Sequence, residues 1–402
     1  MNQTTGKKEI LVAIEEMNLG GTEKSFLTFF EILNKNGNYK IKLFLLKRGG
    51  ALFEKAQDKG EIIVLEELEK KNRNIEQLSI KGILSLIKTA RLSAAIEALY
   101  YFLRIKITGK WFLCYEYAYG KLSPVDADIA IAFSGPSYLV SWITLNKVNS
   151  KKKIQWIRFD VNKYLKDPLF GKTFYPKFDN IYCVSKSAFD SFVGIYPETK
   201  SNTSVFENVI SKDYILEQSN EKKSFTDDFN GFKIITVGRL SGEKGQQMIP
   251  GIVERLKNDG FDFRWYLIGD GYLREELENE IINLNIKNHL KLLGNQINPY
   301  PFYKDCDLYV QTSFHEGYCQ TVHEAKIFNK PVVTTDFINA HNLVVDNEDG
   351  LIVSADPESI YLGVRDLIEN EQKRKKFSRF LKENEMQKPE AINDLVNNWF
   401  DE

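Results

Sequence analysis

A chain of 402 residues, 43% hydrophobic and 27% charged with a net charge of -1, has the balance of a globular protein long enough to bury two cores. That balance excludes a general electrostatic pull toward nucleic acid or acidic partners, so any basic patch must be local. Four scattered cysteines, Cys114, Cys183, Cys306 and Cys319, make no CxxC pair and no zinc-type spacing, which fits reduced thiols better than a disulfide framework.

The first apolar run, in "EILVAIEEM", reads as a strand. It is too short and too interrupted by acids for a signal peptide, and no run of about 18 apolar residues occurs anywhere. "YKIKLFLL" and "EIIVLEEL" follow as strands, with a helix predicted from about Thr22 to Asn34 between the first two; "DADIAIAFSG", "KKKIQWIRFD" and "FDNIYCVSKS" continue the series. Continuous rather than alternating hydrophobicity marks strands buried on both faces, as in parallel sheets built from βαβ units. After a polar stretch, with residues 212–231 predicted as the linker, a second series begins: "FKIITVGRL", "FRWYLIGDG", "HLKLLGN", "DLYVQTS", "PVVTTDF" and "GLIVS". The expectation is α/β, with a domain at 1–211 and another at 212–387. Two such domains facing each other leave a cleft lined by the carboxyl ends of both sheets, where ligands bind.

Four strand-to-helix loops carry the chemistry. In "MNLGGTEKS", Gly20 and Gly21 allow close backbone approach and Thr22 is expected to cap the helix, although the stretch is not GxGxxG. "VGRLSGEKG" brings Arg239 and Lys244 to a glycine-punctuated turn at a helix amino terminus, an anion site suited to a diphosphate or else two solvated cations. "LIGDGYLREELE" is a generic βα turn. "FHEGYCQTVHEAKIFNKPVVTTDF" places Glu316 in a loop and Glu324 in the following helix. An acid–base couple across a sugar is permitted by this spacing, but Arg239 and Lys244 would lower the carboxyl pKa values and spoil the acid. A metal site drawing on His315, Glu316, His323 and Glu324 lacks the spacing of two histidines on one helix face. Acceptor-only carboxylates gripping sugar hydroxyls suit a ligand with a diphosphate between two sugars.

Between Leu78 and Cys114, the cations Lys81, Lys88, Arg91, Arg104, Lys106 and Lys110 face a single acid, Glu97, with apolar residues at helical spacing. That pattern fits a helix on an anionic membrane surface, or a core helix with solvated cations.

"VGRLSGEKG", "LIGDG", "GNQINPYPFYKDCDLYVQTSFHEGY" and the glutamate pair, in this order, resemble the retaining glycosyltransferases of family 4, most closely bacterial capsular and exopolysaccharide enzymes. The resemblance is dense in the second domain and sparse in the first, where "GGTEKS" and "IQWIRFD" carry it. It implies the GT-B architecture of two facing Rossmann-like domains with an interdomain cleft, and a carboxyl-terminal helix at about 388–402 that packs back on the first domain through Trp399 and Phe400. It further implies that Arg239 and Lys244 hold the donor diphosphate, that Glu324 binds the ribose and that Glu316 contacts the transferred sugar. Gly317, Tyr318, Cys319, Gln320, Thr321 and Val322 would complete the donor pocket, Gly20 and Gly21 would close over the phosphates, and Asn295 lies where the base is read.

The implied reaction is transfer of a hexose or N-acetylhexosamine from a nucleotide sugar, UDP-linked, to a saccharide or lipid-linked acceptor in bacterial surface polysaccharide or glycoconjugate synthesis. No cofactor, metal or nucleic acid is implied, and the location is cytoplasmic, peripheral at the inner face of the cell membrane. Members often carry a histidine where "WIRFD" stands here; all four histidines lie in the second domain, so Arg158 and Asp160 become candidates for acceptor contact, against a simple Arg–Asp surface pair. A non-catalytic nucleotide-sugar-binding partner subunit and a sugar-nucleotide epimerase of the same architecture stand as alternatives.

Overall fold

The computed structural model describes residues 7–57, 60–68, 74–159, 161, 167–208, 210–220, 224–384 and 390–401. The chain forms two units, one running as far as Glu207 and resuming at Ile392, the other Asn208–Ala391. The expected boundary at 211/212 thus falls slightly late.

In the first unit, the strands β1 (Lys8–Ile14), β2 (Tyr39–Leu45), β3 (Glu61–Val64), β5 (Ile129–Ala132), β7 (Lys152–Ile157), β8 (Asn180–Cys183) and β9 (Thr203–Val205) form one parallel sheet in the order β3-β2-β1-β5-β7-β8-β9. A short side pair joins β4 (Val125–Asp126) to β6 (Val148–Asn149). The apolar runs lie where expected, and Ile10 to Ile14 and Ile129 to Ala132 are essentially sealed from solvent, as strands covered on both faces require. Two local expectations give way. "EIIVLEEL" is strand only to Val64, and Leu65–Leu68 turn helical. The first helix spans Gly21–Asn36 with Gly20 at its N-cap, so Thr22 lies inside it and caps nothing.

The second unit carries β10 (Phe232–Val237), β11 (Phe263–Ile268), β12 (Leu290–Gly294), β13 (Leu308–Gln311), β14 (Val332–Thr335) and β15 (Gly350–Val353), parallel throughout in the order β12-β11-β10-β13-β14-β15. The strand order reverses between β10 and β13, and a crevice for ligand opens at such a point, beyond the carboxyl ends of the two strands. Much of the expected linker belongs to this unit. The helix Lys212–Gln218, capped by Ser211, buries Ile215 in the cluster that holds Tyr266 and Tyr300. A single apolar face was hidden in a polar run.

The helix Glu390–Asp401, from Ile392 onward, completes the first unit. Its Trp399 indole donates to the Tyr182 hydroxyl at 2.9 Å and packs near Trp156 and Phe29, while Phe400 stacks on Tyr39. Two aromatic anchors in one amphipathic helix bury enough apolar surface to hold a chain end in place.

Candidate active site

The loops that follow β10 and β13 meet at the strand-order reversal of the second unit. Gly245 adopts φ +69°, and a Cβ there would come within 2.1 Å of the Thr312 carbonyl oxygen, so only glycine lets the two loops approach this closely. The Thr312 hydroxyl donates to the Lys244 carbonyl at 2.8 Å, and the Phe314 N–H donates to the Glu243 carbonyl at 2.9 Å. The loop after β11 joins from the other side: Gly269, at φ +136°, passes against Gly238, and the Gly242 N–H donates to the Tyr272 hydroxyl at 2.6 Å.

This lacing brings Lys244 onto Glu316. The ammonium lies 2.7 Å from Glu316 Oε1, with the side chains 23% and 8% exposed. Burial works against the ammonium, but the groups beside it, the Glu316 carboxylate foremost, more than offset that, and the Lys244 pKa is raised. Gln311, the last residue of β13 and itself buried, organises the carboxylate. Its amide donates to Glu316 Oε1 at 3.0 Å and to the Ser313 hydroxyl at 2.6 Å, and Ser313 donates to the same Oε1 at 2.6 Å. The side-chain Oε1 of Gln311 accepts from the Tyr309 hydroxyl and, at 3.1 Å, from the Thr321 hydroxyl. Three donors therefore converge on Oε1, and among the described residues none reaches Oε2. An anchored carboxylate with one oxygen to spare can accept a hydroxyl.

Glu324 lies in the helix Gln320–Ile327 and is fully buried. The phenols of Tyr300 and Tyr303 beside it are pushed well above their usual range, by burial first and by the Glu324 charge second. His323 is buried too, stacked on Tyr318 at 4.4 Å. Burial, with the Lys326 charge adding to it, drives its pKa down to about 3. A buried neutral His323 and an exposed His315 do not make a metal pair with the glutamates, and no cluster of three or more candidate ligands occurs among the described residues.

The structure brings Lys244, Glu316, Gly317 and the start of the Glu324 helix to one locus. Arg239 sits exposed on the same loop as Lys244, its carbonyl accepting from Gln246 at 2.9 Å. Tyr318, Cys319, Gln320 and Val322 are buried, and the Val322 N–H already bonds to the Cys319 carbonyl at 3.1 Å, which removes it from the set of free donors. Cys319 takes φ +51°, a conformation unusual for a side-chain-bearing residue, at the turn into the helix. Asn295 is exposed just beyond β12.

In the first unit the strand order reverses between β1 and β5. Gly20 closes the loop after β1, and Glu15 in that loop accepts from Ser137 at 2.5 Å while its N–H meets the Ser134 hydroxyl at 3.4 Å. Arg158 lies inside the unit rather than on its surface. It is buried with its Nε donating to the Phe133 carbonyl at 2.8 Å and its guanidinium 3.7 Å from the Phe133 ring centre; burial pushes its pKa down and the Glu23 charge opposes. Asp160 lies outside the described residues. Gln311, Ser313, Glu15 and Ser137 went unassigned in the sequence. The one usable signal was a glutamine closing the apolar strand "LYVQ" at its carboxyl end, where a buried amide needs partners.

Residues 217–384, nearly all of the second unit, match the family described as "Glycosyl transferases group 1". The chain is 31% identical over 225 residues to an uncharacterized glycosyltransferase of Methanocaldococcus jannaschii, covering 52% of this chain and 53% of that protein. It is 30% identical over 219 residues, 54% of this chain and 57% of the relative, to the N-acetylgalactosamine-N,N'-diacetylbacillosaminyl-diphospho-undecaprenol 4-alpha-N-acetylgalactosaminyltransferase of Campylobacter jejuni. These alignments thus span little more than half of each curated relative. Among solved structures, Anabaena HepE in complex with UDP and glucose shares the fold, with a TM-score of 0.69 at 16% identity, over 98% of this chain and 99% of that one. The architecture, two parallel-sheet α/β domains, is that of the GT-B glycosyltransferases.

Proposed function

We propose that the protein is a retaining, metal-independent glycosyltransferase that moves a hexose or N-acetylhexosamine from a UDP-sugar to a saccharide or lipid-linked acceptor. The observation that carries this reading is the Lys244–Glu316 pair held by Gln311 at the strand-order reversal, inside the segment matched by the family. Departure of a nucleoside diphosphate concentrates negative charge on phosphate oxygens, and a preorganised ammonium in a mostly buried site stabilises that charge most where water is scarce. Lys244 fills this role, with Arg239 beside it on the loop. Glu316 Oε2 accepts a hydroxyl of the transferred sugar, and Glu324 serves the ribose once the ligand opens its side of the pocket. With the departing phosphate oxygen taking the acceptor proton, no protein base is needed.

The UDP donor draws support from the UDP in the HepE complex, and the acceptor from the undecaprenol-linked substrate named for the Campylobacter enzyme. Surface polysaccharide or glycoconjugate synthesis, at the inner face of the membrane, follows from that acceptor class. The test is release of UDP from a panel of UDP-sugars, with and without undecaprenyl-diphospho-saccharide acceptors, in EDTA. Acceptor-dependent release with an α-configured product is expected. Turnover without acceptor would point to an epimerase, UDP-sugar binding without turnover to a partner subunit, and abolition by EDTA would overturn metal independence.

A further inference from the structure

Nine of the nineteen large apolar side chains exposed among the described residues fall within residues 80–107. This segment forms two consecutive helices, Ile80–Lys88 and Leu92–Thr108. On the first, Ile80, Leu84 and Ile87 recur at i, i+4 and i+7; on the second, Leu92, Ile96, Leu99, Leu103 and Ile107 continue at the same spacing, with Ile96 70% and Ile107 83% exposed. That spacing draws one apolar stripe along each helix. The flanking faces are already spent: Ile83 and Leu86 pack with Ala95, Ala98 and Tyr117 in a small core of their own. Folding of the hairpin therefore does not account for the outer stripes, and an apolar surface of this extent marks a site of contact.

Charge decides what covers it. Lys81, Lys88, Lys106 and Lys110 are exposed at the ends of the two helices, and the acids nearby are already engaged, Glu97 with Lys121 at 3.4 Å and Glu116 with Arg104 at 3.9 Å. A second copy of the same face would set cations against cations. An anionic bilayer instead offers hydrocarbon to the stripes and lipid phosphates to the lysines. No helix among the described residues is long and apolar enough to cross a membrane.

We propose that this hairpin is an interfacial anchor, lying in the plane of an anionic bilayer with Ile96, Leu103 and Ile107 at the acyl boundary and Lys81, Lys88, Lys106 and Lys110 on lipid phosphates; it deepens, and rests on, the reading of an enzyme that meets a lipid-linked acceptor. The anchor would confine transfer to acceptors resident in the membrane.

Vesicles of phosphatidylcholine, with and without phosphatidylglycerol, test the anchor by sedimentation of the full chain. Wild type should partition at least about tenfold more strongly to the anionic vesicles. The triple variant Lys81→Glu/Lys88→Glu/Lys106→Glu should lose about 100-fold in binding, and Ile96→Asp/Leu103→Asp at least about tenfold, with unchanged melting because the altered side chains face solvent. UDP affinity, measured without vesicles, should match wild type in both. Equal partitioning of wild type and either variant overturns the anchor, as does a wild-type dimer that Ile96→Asp/Leu103→Asp converts to monomer, which would make the stripe a self-contact. If the chain fails to bind UDP yet partitions as described, the donor reading falls and the anchor stands.

Discussion

Glu316→Gln removes one charge and little else. The amide oxygen can still accept from Gln311 and Ser313, whereas the ammonium of Lys244, 2.7 Å away, loses its counter-ion. At that separation the gross attraction is about 6 kcal/mol for an effective dielectric of about 20. Loss of one partner from a fully buried pair costs about 3–5 kcal/mol. Lys244 keeps 23% of its side chain in contact with solvent and recovers some hydration, so about 2–3 kcal/mol is expected. In a unit of this size that is a fall of about 4–12 °C in Tm. Because the pair raises the Lys244 pKa above its unfolded value, the wild-type advantage is complete at neutral pH and disappears as pH rises through the raised value.

Ligand binding should respond in the opposite sense. In the wild type a diphosphate must share Lys244 with Glu316; in the variant the ammonium is unclaimed. If UDP binds about tenfold more tightly, a concentration that is 100 times Kd for the wild type becomes 1,000 times Kd for the variant, and stabilisation by UDP rises from about 2.7 to about 4.1 kcal/mol. Sugar transfer should nevertheless fall about 100-fold, because the contact to the sugar is lost. Differential scanning fluorimetry across a UDP titration, with turnover beside it, makes the measurement. An unchanged Tm together with weaker stabilisation by UDP would refute the idea that Glu316 occupies the diphosphate's place on Lys244.

Lys244→Ala should cut turnover by about 100- to 1000-fold while leaving the far-ultraviolet circular dichroism of the fold intact; turnover within a few-fold of wild type would remove Lys244 from the diphosphate site. Glu324→Ala should weaken UDP and the intact donor alike, by about 1.5–3 kcal/mol per charged hydrogen bond lost; isothermal calorimetry showing UDP affinity retained would separate Glu324 from the ribose. His323, neutral in the fold with a pKa near 3, is protonated in the unfolded chain below about pH 6.5, so it costs the native state about 1.36 kcal/mol for each pH unit of acidification between those values. His323→Phe keeps the ring on Tyr318 and should gain about 2.7 kcal/mol relative to wild type between pH 6.5 and 4.5, a gain that urea melts at the two pH values will reveal or exclude.

The sheets were legible because continuous apolar runs leave no other solution: twelve runs read as strands contain the twelve longer strands of the two sheets, and only the three-residue β9 was missed, having just one buried residue to announce it. Errors arose where a short segment answers to its neighbours rather than to its own pattern. Leu65–Leu68 is built of helix-forming Leu and Glu but follows an apolar strand without a break, and Lys212–Gln218 looks like linker because only Ile215 reports its buried face. The charged members of the site could be proposed from residue type and position, since Lys244 and Glu316 follow strands that other features had already located. Gln311 could not. Its importance comes from four partners, Tyr309, Ser313, Glu316 and Thr321, that converge only when β13 ends beside the helix Gln320–Ile327.

Arg158 shows what burial adds to a sequence pattern. The sequence sets an arginine at the end of an apolar strand, and β7 delivers it to the inside of the first unit, where the Phe133 carbonyl and ring receive it. A guanidinium is retained in so buried a place only when planar stacking and directed hydrogen bonds replace its water, which lysine cannot supply. The Phe133 carbonyl lies just beyond β5, so Arg158 fixes the chain where it leaves that strand at the strand-order reversal of its unit, and the charge of Glu23, in the helix that begins at Gly21, acts on it. The position is therefore one where a change of residue alters the shape of the crevice before it alters any contact with a substrate.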